Sequence, residues 1–326
     1  MSITDILAGI TKYKKEIDAL STRINVNRVL LYLDCIYARF KYGCMINHYI
    51  HGHFYKLRRY ERKKHFTYRH WKRIIPKVND LDFVHILKNK VDFNVYFSDY
   101  IKRDWLYSKD MSIEQFKHFI TKHGCAIVKP QSGLEGGGIK FVQFSAMDNI
   151  DYIYTKFKND DVLIEEKICQ HPDMIFGNKS VNTIRVYTLY NEFKNEVYIL
   201  KTVVRVGIGN SIVDNSHSGG CAYEIDIMTG HIISTSFCYK TGIISHIHPG
   251  TDICMLGRKI PYWEDVLNMC ISAAKKLTKC RLIGWDVAIT ENGPLLIEGN
   301  HEPDLCLIEF VGNHGYKNII REHLSI

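Results

Sequence analysis

The chain of 326 residues contains no run of about 18 uncharged apolar residues, so no membrane-crossing helix is expected. Its first residues, Met1-Ser2-Ile3-Thr4-Asp5, lack the basic start and apolar core of a secretory leader. Ten cysteines are present without one Cys-x-x-Cys pair, which argues against a zinc site and reads as reduced packing thiols of a cytosolic protein. The 16 histidines form no ligand set by spacing; His246 and His248, flanking Ile247, come nearest. No spacing supports a Ser–His–Asp or Cys–His arrangement, and there is no internal repeat or low-complexity tract. What remains, at 46% hydrophobic residues, is enough apolar material for a sizeable core in two or three domains.

The charge is unevenly placed. Residues 1–77 carry 17 Lys and Arg against five Asp and Glu, whereas the remainder is slightly acidic. The basic part ends in a stretch where Tyr55, Tyr60, Phe66, Tyr68 and Trp71 interleave with cations. Such a pattern suits an anionic membrane surface, a phosphorylated lipid carrier or a nucleic acid, and equally a solvated helical face. Beside the catalytic signals below, an anionic acceptor or membrane surface is the better fit and nucleic acid the poorer one.

The first such signal lies near the end of the chain. Gly284-Trp285-Asp286-Val287-Ala288-Ile289, a turn at Glu291-Asn292-Gly293-Pro294, and Leu295-Leu296-Ile297-Glu298-Gly299-Asn300 read as a β-hairpin. Residues of equal parity share a face, so Glu298 and Asn300 point one way and Asp286 can oppose them. Hard oxygen ligands on a rigid hairpin suit Mg²⁺. Alone, the pattern also fits polar residues on an exposed face. A second signal weighs against that: the strand Ala126-Ile127-Val128-Lys129-Pro130, a loop carrying Gly133, Gly136, Gly137 and Gly138, then the apolar strand Ile139-Lys140-Phe141-Val142. Glycines let backbone N–H groups wrap an anion, and Lys129 supplies a point charge. The loop has neither the Gly-Lys-Ser/Thr ending of a Walker loop nor the following helix of a dinucleotide fold. Between the two signals, Val162-Leu163-Ile164-Glu165-Glu166-Lys167-Ile168 is an apolar strand that turns charged at its end.

Taken in order, these three segments resemble the ATP-grasp superfamily over residues 85–305. Gln170-His171-Pro172, Ser180-Val181-Asn182-Thr183-Ile184-Arg185, Val213-Asp214-Asn215 with Gly219-Gly220, and Ile260-Pro261-Tyr262-Trp263 narrow the resemblance to ATP-grasp proteins associated with sugar transfer in bacterial surface-polysaccharide clusters. The resemblance implies an α+β chain, two subdomains gripping ATP, with ATP and Mg²⁺ as cofactors. It implies that Lys90 and Lys129 hold phosphates and that Gly136, Gly137 and Gly138 close over them. Glu165, Glu166 and Ile168 would form the adenine hinge, Asp173 or Asn182 would meet the ribose, and Asp286, Glu298 and Asn300 would hold magnesium. Arg205 would meet the γ-phosphate or acylphosphate, and Arg185 a substrate carboxylate. Two departures stand out: Gly284 occupies a place where many relatives carry an arginine, and Asn300 leads into His301-Glu302-Pro303-Asp304 rather than toward Pro-Gly. His301 is a candidate base.

The organisation expected is a helical basic region over 1–77 bounded at Pro76, an α/β lead-in over 78–125, a small sheet domain over 126–177 and a large one over 178–326. Phe83, Ile86 and Leu87 have helical spacing, continued by Phe93, Phe97 and Ile101; a helix is expected over 263–277. The resemblance favours a cytoplasmic, ATP-dependent ligase that joins a carboxylate to an amine through an acylphosphate, with one partner sugar-linked, and a place at the inner face of a membrane is compatible with it. A sugar kinase on the same fold and a non-catalytic polyanion-binding protein are the competing readings.

Overall fold

The computed structural model describes residues 11, 13–131, 137–145, 147–178, 180–209, 219–239, 243–312 and 314–324. Among the described residues the basic region is built of helices: α1 (Lys14–Ile24), α2 (Arg28–Tyr42), α3 (Ile46–His51), α4 (Arg59–Arg62) and α5 (Tyr68–Val78). The Asn27 side chain caps α2 by accepting from Val29 N–H, and Gly43, at φ +73°, turns the chain out of it. Pro76 does not end α5. It sits within the last turn, and the helix runs on to bury Val78 before stopping at Asn79. The buried Asn79 amide then donates to the carbonyls of Leu282 and His301 and accepts from Leu282 N–H.

The helical pattern that follows is interrupted. Asn89 ends α6 (Leu81–Lys88) and caps α7 (Lys90–Tyr96), and Phe97 leaves helical geometry before α8 (Ser98–Ile101). Phe93, Phe97 and Ile101 still bury together in one core, so the apolar stripe survives while the single helix does not.

Nine strands form two antiparallel sheets among the described residues. β1 (Trp105–Tyr107), β2 (Cys125–Pro130), β3 (Lys140–Gln143) and β4 (Val162–Glu165) make the small sheet, ordered β1-β4-β2-β3. Helices α9 (Ile113–His123) and α10 (Ile150–Asp160) cover it through Phe116, Phe119 and Phe157. β5 (Thr183–Asn191), β6 (Glu196–Val206), β7 (Cys221–Glu224), β8 (Leu282–Thr290) and β9 (Gly293–Asn300) make the large sheet, ordered β7-β6-β5-β8-β9.

Alternation along these strands builds two different faces. Ile184, Val186, Val204, Ile283, Trp285 and Val287 meet α11 (Trp263–Lys276), the helix expected there. Tyr187, Leu189, Val203 and Leu282 meet the N-terminal helices together with α12 (Leu305–Glu309) and α13 (Lys317–Leu324). The basic region is thus packed on the sheet rather than appended to it. No helix among the described residues is long and apolar enough to cross a membrane.

Two cysteines depart from the reduced state expected of them. Ala222 and Phe237 bridge as antiparallel partners, which sets their neighbours Cys221 and Cys238 across from each other, and these form a disulfide.

Trp285 is fully buried, stacks edge-on against Phe97 at 5.3 Å and donates its indole N–H to Thr188 Oγ1 at 2.9 Å. Replacing it with alanine removes that packing and leaves Thr188 without its donor. Trp285→Ala is expected to lose about 3–5 kcal/mol in urea unfolding.

Candidate active site

The hairpin read from the sequence is β8–β9, turning at Glu291-Asn292 with Gly293 at φ +98°. Asp286 lies directly opposite Glu298, and Gly284 opposite Asn300. Beyond Asp286 the register slips: Val287 pairs with Leu296, so Ile297 is an extra residue, a β-bulge. The bulge leaves a half-buried Ile297 beside Glu298, at the mouth of the strand pair.

Strand order brings two arginines to the same carboxylate. Arg185 on β5 is the cross-strand partner of Asp286 and holds it through two hydrogen bonds, Nε to Oδ1 and Nη2 to Oδ2 at 2.9 Å. Arg205, one strand further out on β6, donates from Nη2 to Oδ2 at 3.0 Å and from Nε to Thr183 Oγ1 at 2.9 Å. Gly284 is what admits Arg185. A Cβ there would stand 2.7 Å from Pro303 Cβ and 3.2 Å from Arg185 Cδ, so the space above Gly284 belongs to the Arg185 stem.

Burial alone would raise the Asp286 carboxyl, but Arg185 and then Arg205 outweigh it and hold the group below the usual carboxylate range. Glu298 goes the other way. Burial, then the facing Asp286, push it up, and Lys129 and Arg185 only partly oppose this. Two carboxylates close enough to share a hydrogen bond, one ionised and one inclined to keep its proton, form a donor set that a divalent cation would relieve. Asn300 stands one pleat along, its amide making a long contact of 3.4 Å to Gly284 O. These three residues fit a magnesium ion by the chemistry of their oxygens.

The second half of the site comes from the small sheet. Lys129 on β2 and Glu165 on β4 are both buried and pair at 2.6 Å. Glu165 also accepts from Arg103 Nη2 at 2.9 Å and from Asn94 Nδ2 at 3.2 Å. Arg103 in turn donates from Nη1 to the carbonyl of Leu296 on β9 at 2.6 Å, so one guanidinium joins the two sheets. Burial would raise Glu165, but Arg103 and Lys129 prevail and bring it from the ordinary 4.5 to about 2. Lys90 begins α7 beside them, and its backbone N–H reaches Gln131 O at 3.4 Å. Burial, then the nearby Lys129, lower its pKa, against Glu298 and Glu165. Lys90, Lys129, Arg103, Arg185 and Arg205 therefore face Glu165, Asp286 and Glu298: a site with surplus positive charge.

The remaining expected residues are placed less uniformly. β2 and β3 flank the glycine loop as antiparallel partners. Gly136, and Val213-Asp214-Asn215, lie outside the described residues. Gly137 and Gly138 form a turn, and at Gly138, φ +79°, a Cβ would come within 2.8 Å of Pro130 Cγ. β4 ends at Glu165, and Glu166 N–H donates to Asp104 O while its carboxylate accepts from Asp104 N–H. A cavity opens at this hinge, walled by Glu166, Lys167, Ile168, Asn292 and Leu295. Asp173 is exposed on a short helical turn, near His171. Asn182 is fully committed: its amide donates to Met174 O and Asn178 Oδ1 and accepts from Gly207 N–H, which makes it scaffold and leaves Asp173 as the ribose candidate. His301 is half-buried; burial and then Lys88 lower its pKa, leaving a neutral imidazole beside the hairpin. His248 donates from Nε2 to Gly207 O at 3.0 Å, and its Nδ1 pairs with Thr251 Oγ1 at 3.2 Å, so its two ring nitrogens are occupied and it forms no metal pair with His246.

Arg103, Asn94 and Ile297 escaped the sequence reading. Arg103 and Asn94 sit in segments with no motif of their own, and only the strand order reveals the buried acid they share. The bulge at Ile297 is equally silent, because an apolar strand residue reads the same in or out of register.

Two antiparallel sheets facing each other across a lysine-rich, carboxylate-bearing cleft define the ATP-grasp fold. The profile of the family described as Sugar-transfer associated ATP-grasp matches residues 69–323, and the chain belongs to that family. No curated protein sequence matches it. Among solved structures it is similar to the ATP-grasp ligase PsnB complexed with a minimal precursor, Mg and ADP (15% identity, TM-score 0.41, 76% of this chain and 57% of that one). It is also similar to D-alanyl-alanine synthetase A from Vibrio cholerae (14%, 0.43, 74% and 66%) and D-alanine–D-alanine ligase from Helicobacter pylori (13%, 0.44, 73% and 61%). The chain thus spans less than two thirds of the length of these structures.

The Glu165 junction sets a pH dependence. Its folded pKa lies below the unfolded one, so its contribution is present above about 4.5 and is lost as pH falls toward about 2, where the folded group also takes up a proton. Unfolding midpoints measured by circular dichroism should fall with acid across that window. Glu165→Gln should flatten this part of the slope and lower stability at neutral pH by about 3–5 kcal/mol, because Lys129 and Arg103 lose their shared partner.

Proposed function

We propose that the protein is an ATP-dependent carboxylate–amine ligase that forms a C–N bond through an acylphosphate, joining an amine or amino acid to a sugar acid in surface-polysaccharide biosynthesis. The observation that carries this is the convergence of Asp286, Glu298, Arg185, Arg205, Lys129 and Lys90 on one cleft. Family membership and the sugar-transfer description support the substrate class.

Lys129 and Lys90 bind the phosphates of ATP as point charges, with Gly137 and Gly138 approaching from the loop. The hinge at Glu165, Glu166 and Ile168 receives the base, Ile297 offers it an apolar surface and Asp173 meets the ribose. Mg²⁺ held by Asp286, Glu298 and Asn300 would supply neutralisation of the triphosphate charge. Arg205 orients the transferred phosphoryl group and Arg185 the substrate carboxylate, each from a position fixed by its bond to Asp286. The carboxylate oxygen attacks the γ-phosphorus, ADP leaves, and the amine then displaces phosphate from the acylphosphate; His301 is placed to take the amine proton. The protein's contribution is positioning and charge compensation, with no covalent nucleophile. The enzyme works in the cytoplasm, with its basic N-terminal region turned toward an anionic carrier or membrane surface.

ADP release in the presence of magnesium, measured with a panel of uronic acids and amino acids, tests this reading. Turnover should require both an acid and an amine and should fall at least about 100-fold in Asp286→Ala. ADP formed with a sugar alone would identify a kinase instead, and nucleotide binding without turnover under every pairing would reject the ligase. Lys129→Met should weaken ADP binding about 10–100-fold by calorimetry, the loss expected for a charged phosphate contact.

A further inference from the structure

Helix α2 presents an apolar face to solvent. Val29, Leu33, Tyr37 and Phe40 follow one another at helical spacing with Leu30 alongside, and these five residues are 41–62% exposed. The opposite side of the same helix buries Leu31, Cys35, Ala38 and Tyr42 in the core shared with the large sheet. The helix is therefore fixed in place by one apolar side and shows a second to water, along about 22 Å of axis. No charged residue interrupts the outer stripe. Isolated exposed leucines need no explanation, but a continuous stripe over three turns does.

Cations border it. Exposed Lys14 and Arg23 lie on α1, which flanks one side, where Tyr32 of α2 reaches Lys14 O at 3.3 Å. Exposed Arg28 and Lys41 stand near the ends of α2, and Arg58 and Arg59 accompany α4, which is tied to the other flank by the bidentate Arg62–Asp34 pair. The acids nearby have partners within the protein: Asp18 accepts from Tyr32, Asp34 from Arg62 and Tyr49, and Glu61 from Arg58 N–H, while the exposed Glu16 on α1 pairs with His51 at 2.9 Å. The rim is thus cationic around an apolar centre.

We infer that the outward face of α2 seats on an anionic lipid bilayer, with Leu30, Leu33, Tyr37 and Phe40 entering the headgroup boundary and the bordering lysines and arginines meeting lipid phosphates. Charge complementarity selects this occupant over a second copy of the chain, since two such rims would repel across a dimer interface. The inference rests on the anionic-surface part of the reading above and is independent of the ligase chemistry. Because α2 packs on the same face of the large sheet that carries Arg185 and Arg205, the bilayer would lie on that side of the sheet.

Co-sedimentation of the full chain with vesicles tests it, using phosphatidylcholine alone and an equal mixture with phosphatidylglycerol. The wild type should bind the anionic vesicles about 10-fold more strongly. Leu30→Glu with Leu33→Glu should lower that binding about 10-fold or more while leaving the unfolding midpoint and ADP affinity unchanged, since both side chains are exposed. Tryptophan emission of Leu33→Trp should shift to the blue on the anionic vesicles. Equal binding of the double variant would overturn the insertion of α2 while leaving a purely electrostatic surface contact standing. No binding by the wild type would overturn both, and a dimer that the double variant dissociates, without vesicle binding, would assign the face to a second copy.

Discussion

Everything in the cleft depends on one buried carboxylate, Glu165. It sits where β4 ends and gathers Lys129 from β2, Asn94 from α7 and Arg103 from the segment before β1. An ionised glutamate out of contact with water is tolerated only when its oxygens are fully met, and here three donors do so. The consequence is positional. Lys129 cannot wander, because its ammonium is held by an acid that is itself held. Arg103 carries the same restraint across to Leu296 on β9, one bulged residue and one further step from Glu298. Lys129 and the β8–β9 hairpin are therefore kept in register by a single guanidinium.

The large sheet solves a related problem in another way. Asp286 and Glu298 face each other across β8 and β9, and two carboxylates at that distance resist simultaneous ionisation. Arg185 and Arg205 settle which of them ionises, and they do so from strands that lie side by side only in the folded sheet. The surplus of cations over acids leaves the cleft electrostatically incomplete, with its positive groups already held in place by their acid partners.

The hairpin, the two strands that flank the glycine loop, and the helix over 263–277 were legible because each is written in a local pattern: alternation, a turn and a proline at the start of an apolar period. Parity put Glu298 and Asn300 on one face, but it did not fix their partner: the register set by the turn would place Ile297 opposite Asp286, and the bulge at Ile297 is what brings Glu298 there. Pro76 stands two residues short of the end of α5, and the burial of Val78 shows that the helix runs past it. The stripe of Phe93, Phe97 and Ile101 suggested one helix because periodicity records which residues are buried and is blind to a break at Phe97. The pairing of Arg185 with Asp286, separated by 101 positions, and the bond between Cys221 and Cys238 depend on strand neighbours that no local window contains.

The family match begins at residue 69, within α5 and after α1 to α4. The core does not respect that border. Ile17, Leu31 and Phe54 lie in one continuous cluster with Tyr187, Val203 and Ile308. A chain begun at the start of the match would bare that face of the large sheet within reach of Arg185 and Arg205. The stretch inherited with the family is thus shorter than the body that must fold as one, and the ATP-grasp part of this protein has its own stability underwritten by helices that the family pattern does not include.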